Sequence, residues 1–179
     1  MINRTNKINM IVSFSKYGII GFQNNIPWYV PEDLKFFKQK TEFHCVLMGR
    51  KTWESLPSKP LSNRIHYVVS SQTFSDSQLN KNVYCFTNID EAIYHWKQNF
   101  SSEKDLWVCG GQSIYDLFLE KRFYILNKVY TSIIHEDVYG DKYFNIISLV
   151  KNFKIDQSYW IKDSKVEVLE WVKKESFNY

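Results

Sequence analysis

The sequence predicts an α/β protein: a mainly parallel, twisted eight-stranded sheet with an antiparallel C-terminal edge and about four flanking helices. Three observations carry that expectation. Eight short runs rich in β-branched and aromatic residues recur along the 179 residues, and several are apolar throughout, as strands buried on both faces are. Between most of them lie segments whose apolar residues repeat at helical spacing, which implies right-handed crossovers between parallel strands. The last two runs follow each other without a helix, so they form a hairpin.

In chain order the strand candidates begin with INMIVSF (8–14), HCVLMG (44–49), RIHYVVS (64–70) and NVYCF (82–86). They continue with DLWVCG (105–110), KVYTSII (128–134), FKIDQSYWI (153–161) and KVEVLEWV (165–172). The first helix candidate, PEDLKFFKQKT, opens with Pro31 at a favoured first-turn position. RKTWESL is a short second one. NIDEAIYHWKQNF sets Ile89, Ala92, Ile93 and Trp96 on one stripe, and QSIYDLFLEKRF does the same with Ile114, Leu117 and Phe118. No repeat, low-complexity tract or linker interrupts the pattern, so one domain over residues 1–179 is expected.

Hydrophobic residues make up 44% of the chain and aromatics 17%, enough for a packed core, which excludes a disordered chain. The net charge of +4 suits a small anionic ligand and is too weak to point to nucleic acid. The basic clusters NRTNK and VKK, near the two ends, read as solvated surface. Cys45, Cys85 and Cys109 stand singly in apolar runs without CxxC spacing, which favours reduced, buried thiols. His44, His66, His95 and His135 are dispersed, so no metal site is expected. No apolar run suits a signal peptide or a membrane span, and a cytoplasmic protein without a membrane partner is the expectation.

Chemistry concentrates at two strand-to-helix junctions and one helix start. VLMGRKTWES carries Gly49 and then Arg50, Lys51 and Thr52, while LWVCGGQSIYDLF carries Gly110 and Gly111 and then Gln112 and Ser113. Helix N-termini offer free backbone N–H groups, and glycine lets a ligand approach the backbone closely. Two such junctions at the carboxyl ends of parallel strands could grip the phosphates of a dinucleotide, although GxGxxG is absent. Ser70 and Ser71, ending VVSS, fall at the same edge and with Arg50 could hold an additional phosphate. The third feature is NNIPWYVPEDLKFF, where Asp33 sits among Trp28, Val30, Leu34, Phe36 and Phe37. An acid in a first helical turn can simply complement the helix dipole. It can also receive paired hydrogen bonds from a flat amidine-like ring lying between the aromatic neighbours. Both readings stay open on this stretch alone.

Taken together, IPWYVPEDLKFF, MGRKTWESL, RIHYVVSSQ, WVCGGQSIYDLFL and VYTSI followed by VYGDKYF resemble dihydrofolate reductase in order and spacing. The resemblance spans roughly residues 8–172. It implies an eight-stranded sheet with four helices and reduction of 7,8-dihydrofolate to tetrahydrofolate, in support of one-carbon metabolism and of thymidylate and purine synthesis. It also implies NADPH as hydride donor, a monomeric state and binding of antifolate inhibitors.

By position, the resemblance makes Asp33 the pterin-binding acid that favours protonation at N5. Trp28 would hold a water near the site, and Thr131 would bond the Asp33 carboxylate. Ile11, Val12, Leu34, Phe37, Leu56, Leu61, Cys109 and Tyr115 would line the substrate slot, with Arg64 pairing the glutamate-tail carboxylate. The loop from Gly21 to Trp28 would close over the nicotinamide. Cofactor contacts would come from Ser13, Ile20, Gly21, Gly49, Arg50, Lys51, Thr52, Val69, Ser70 and Ser71. Cys109, Gly110, Gly111, Gln112, Ser113, Ile114 and Tyr115 would complete them. Ser13 replaces the family's usual alanine, Cys109 its usual isoleucine or valine, and Ser113 an arginine that some members carry toward the 2′-phosphate. A riboflavin-pathway reductase of the same fold would explain the glycine junctions but has no need of PWYVPEDL or Arg64. A non-catalytic folate- or nucleotide-binding module would not require both Asp33 and the whole loop.

Overall fold

A computed structural model describes residues 6–72, 81–161 and 165–175. The basic stretch at 3–7 lies mostly outside them. The strands are β1 (Ile8–Ser15), β2 (Ile19–Gly21), β3 (Cys45–Gly49), β4 (Ile65–Val69) and β5 (Val83–Phe86). They continue with β6 (Leu106–Val108), β7 (Leu126–Ile134), β8 (Lys142–Tyr143), β9 (Phe153–Ile161) and β10 (Val166–Lys173). Eight of them form one sheet in the order β5-β4-β3-β6-β1-β7-β10-β9, and these eight are the expected ones. Pairing is parallel from β5 to β7, and β10 runs antiparallel to both β7 and β9.

The helices are α1 (Pro31–Thr41), α2 (Arg50–Glu54), α3 (Ile89–Asn99), α4 (Gln112–Lys121) and α5 (Ile146–Asn152). The count is five, not four. In α5 only Leu149 is buried, and its seven residues make fewer than two turns, too short for helical spacing to be told from a strand run. Its start is held instead by Asn145, whose side chain accepts from Ser148 N. The strands β2 and β8 also went unanticipated. They pair only with each other, and three residues meeting two from a distant segment leave no local pattern.

Each sheet face has its own core, set by the period-two alternation of the strands. Met10, Val12 and Phe14 of β1 face α3 and α4, meeting Trp96, Ile114 and Phe118. Ile11 faces the other way, into a cluster with Val30, Phe36, Trp53 and Val168, under α1 and α2. The odd-numbered side of β1 is therefore the side that α1 covers. None of the helices among the described residues is long and apolar enough to cross a membrane.

Candidate active site

Helix α1 starts without a side-chain cap; Pro31 sets its first turn, and Asp33 N and Leu34 N donate to Val30 O. This start directs Asp33 inward, where it is only 8% exposed. Burial raises the proton affinity of its carboxyl, and the hydroxyls of Ser132 and Ser13 oppose that shift. No ion pair reaches Asp33 among the described residues. A carboxylate that has lost water and gained no cation calls for neutral N–H donors.

The expected partner, Thr131, is not the residue that meets it. Val12 pairs with Thr131 and Ser13 with Ser132, so Thr131 shares the sheet face of Val12 and Ser132 that of Ser13. The Thr131 hydroxyl accepts a hydrogen bond from Trp171 Nε1 at 2.9 Å, buried on the α3–α4 side. The carboxylate of Asp33 belongs with Ser132, one residue on. A one-residue shift along a strand turns a side chain to the opposite face, and motif matching alone does not carry that accuracy. Val12 likewise sends its side chain into the other core.

The apolar residues expected to line a substrate slot differ in exposure. Leu34 is 49% exposed, and Phe37, Leu56 and Leu61 are half-buried. Trp28 is half-buried against the same core. Arg64 is buried, and its charge is held by neutral acceptors rather than by an acid. Its Nε donates to Ser62 O at 3.1 Å and its Nη1 to Thr41 Oγ1 at 3.0 Å. The guanidinium carbon lies 5.8 Å from the Phe37 ring centre. His66, not singled out from sequence, supports Leu61. Its Nε2 accepts from Leu61 N at 3.1 Å, and burial lowers its pKa to about 4, keeping the ring neutral.

The two glycine junctions meet. Gly49 N donates to Gly110 O at 2.7 Å, and Gly110–Gly111 is a cis peptide. A Cβ on Gly110, at φ +103°, would come within 2.9 Å of the Tyr115 ring, and one on Gly111 within 3.0 Å of Thr52 Oγ1. Ile114 packs against Gly49 from the other side. Tyr115 is buried and its hydroxyl donates to Ile11 O at 2.9 Å, tying α4 to β1. Cys109 donates to Trp107 O, and burial pushes its thiol far up, so it is neutral and unreactive. Gly111 precedes α4 without a side-chain cap, so the first backbone N–H groups stay available.

At the outer edge Arg50 Nη1 donates to Gln72 Oε1 at 2.7 Å and its Nε lies 3.6 Å from Glu54. Ser70 Oγ accepts from Gln72 N, so Gln72 organises both. Val69 is half-buried, while Lys51, Ser71 and Ser113 are exposed around this edge. Gln112 turns aside to accept from Tyr143 N at 3.4 Å, bracing β8. The 21–28 loop leaves β2 through a tight turn at Gln23 and Asn24 closed by paired Phe22–Asn25 hydrogen bonds. Half-buried Ile20 packs at its base, and Asp141 N donates to Gly21 O at 3.0 Å. Gln72 and Asp141 lie inside the stretches RIHYVVSSQ and VYGDKYF, yet neither is given a role by the sequence.

The family model for dihydrofolate reductase matches residues 7–172. The chain belongs to the dihydrofolate reductase family. It is 40% identical over 137 residues to the dihydrofolate reductase of Buchnera aphidicola from Acyrthosiphon pisum, covering 76% of this chain and 78% of that one. It is 38% identical to that of Mycobacterium leprae, over 73% of this chain and 76% of the relative. With dihydrofolate reductase type 9 of Escherichia coli the identity is 36%, over 83% and 81%. Dihydrofolate reductase membership implies a nicotinamide cofactor and a dihydrofolate substrate.

Proposed function

We propose that this protein reduces 7,8-dihydrofolate to 5,6,7,8-tetrahydrofolate with NADPH, and that Asp33 binds the pterin and promotes its protonation at N5. The observation that carries the reading is the buried Asp33 carboxylate, facing two serine hydroxyls and no cation. The 2-amino group and N3 of a pterin present two parallel N–H donors. Binding them restores to the carboxylate hydrogen bonds that burial removed, and it fixes the ring in one orientation. The negative charge beside the ring favours a proton at N5, carried there by a water near Trp28. Arg64 pairs the substrate's tail carboxylate, since its fork is already aimed by Thr41 and Ser62.

The glycine junctions fit a dinucleotide. Tyr115 and Thr52 fill the room a Cβ would need, so glycine here lets the two junctions pack closely together. When bound, NADPH supplies the hydride. The uncapped start of α4 offers N–H groups to its phosphates, and Arg50, Ser70 and Ser71 are the groups for the 2′-phosphate. Ser113 adds no charge there, which weakens the preference for NADPH over NADH without removing it. The Gly21–Trp28 loop limits water access over the nicotinamide. A cytoplasmic monomer that takes antifolate inhibitors completes the proposal.

The test is the loss of NADPH absorbance on adding dihydrofolate to folded protein. Turnover with NADPH above that with NADH supports the reading, and no turnover with either cofactor overturns it. Sedimentation at micromolar concentration checks the monomer.

A further inference from the structure

Ser13 and Ser132 stand side by side as register partners on neighbouring parallel strands, and partners in a parallel pair project to the same face. Across that face lies Asp33. The Ser13 Oγ is shielded from solvent and, as placed, completes no hydrogen bond among the described residues, although it lies near enough to Asp33 to act on its carboxyl. A buried hydroxyl without a partner is uncommon enough to need an explanation.

The surrounding elements narrow the choice of acceptor. From α4 comes Tyr115, whose hydroxyl is already spent on Ile11 O. Just past β6 is Cys109, whose thiol is turned to Trp107 O. Arg64, whose charge acts on Cys109, is a donor held by Ser62 and Thr41. From β7 comes Ser132, and from α1 the Asp33 carboxylate, the one strong acceptor of this group. We propose that Ser13 is a positioning residue: its hydroxyl, beside that of Ser132, donates to the Asp33 carboxylate and holds it fixed and ionised for the substrate.

The proposal rests on the reading of Asp33 as the pterin-binding acid. A carboxylate has about four acceptor directions, so two serine donors on the sheet side leave the outer ones for the pterin. Donors to the charged form lower a carboxyl's proton affinity, and both serines act in that direction against burial. Removing the Ser13 hydroxyl therefore raises the proton affinity of Asp33. The side of the pH profile on which activity falls with acid then moves to higher pH.

The experiment compares wild type, Ser13→Ala and Ser13→Thr, each with NADPH bound. Asp33 is titrated by carbon-13 NMR of labelled aspartate, with Asp33→Asn assigning its resonance, and kcat/KM for dihydrofolate is followed from pH 4 to 8. In Ser13→Ala the Asp33 midpoint and the acid limb both move up by about one unit, while Ser13→Thr stays close to wild type. An unmoved midpoint in folded Ser13→Ala overturns the proposal, as does an equal shift in Ser13→Thr. Wild-type protein that fails to turn over dihydrofolate removes the functional reading instead, and the NMR titration still reads the contact between Ser13 and Asp33.

Discussion

Around Asp33 the proposed working groups are side chains: one carboxylate, two serine hydroxyls, aromatic rings and a guanidinium. At the Gly49 and Gly110–Gly111 junctions they are backbone, and side chains matter through their absence. Both sit along the same end of the parallel strands, where a doubly covered sheet leaves its crevice. The first region depends on which way each side chain points, so a shift of one residue destroys it. The second is indifferent to facing but, at Gly110 and Gly111, intolerant of a single added carbon. The two regions should therefore fail differently.

The largest effect is expected at Asp33. Asp33→Asn lowers turnover at neutral pH by about 10²–10⁴-fold, with partial recovery in acid as the substrate protonates in solution. The same change should raise thermal stability. Burial lifts the folded-state pKa above its ordinary 3.8, so the folded protein binds this proton more tightly than the unfolded chain. Stability then falls as pH rises through the window above 3.8. At neutral pH the ionised carboxylate destabilises the fold, and the amide does not. A variant with lower turnover and a lower melting temperature would mean that Asp33 is a structural acid.

Next is Gly110→Ala. Its Cβ would press on the Tyr115 ring in a left-handed conformation, which costs about 1–3 kcal/mol. Displaced from Ile11 O, Tyr115 would unsettle both regions at once, and kcat/KM should drop by roughly 10²-fold. Gly49→Ala, whose Cβ meets Ile114 Cγ1 at 3.4 Å with φ −75°, should fold nearly normally. Equal damage from both would show that the junction is not as tight as its distances imply.

Arg64→Leu separates binding from chemistry. Loss of a charged fork raises the KM for dihydrofolate by about 10–100-fold with little change in kcat. An unchanged KM would assign the buried guanidinium to structure alone.

The smallest effects sharpen the comparison most, because they come from neighbours on one strand. Thr131→Val strips Trp171 Nε1 of its acceptor and should cost about 1–3 kcal/mol of stability, with the pH profile unmoved. Ser132→Ala should leave stability nearly alone and shift the acid limb upward by at least as much as Ser13→Ala does. The reverse pattern would put Thr131 back beside Asp33.

These pairs mark where sequence reading stops. The eight sheet strands, α1 with its Pro31 start and the two glycine junctions were legible, because each leaves a local mark. Apolar runs, helical spacing and glycine at a strand end are written within a dozen residues. Family membership was legible for the same reason, as five such marks in order. Tertiary structure decided the rest. It turned Ser132 rather than Thr131 toward Asp33, paired β2 with β8, gave Arg50 its Gln72 partner and set Ser13 beside Ser132. Each of these joins segments far apart in the chain, or depends on the facing of a single residue. Strand register and packing fix such relations, and one strand's own sequence is compatible with either facing until its neighbours are in place.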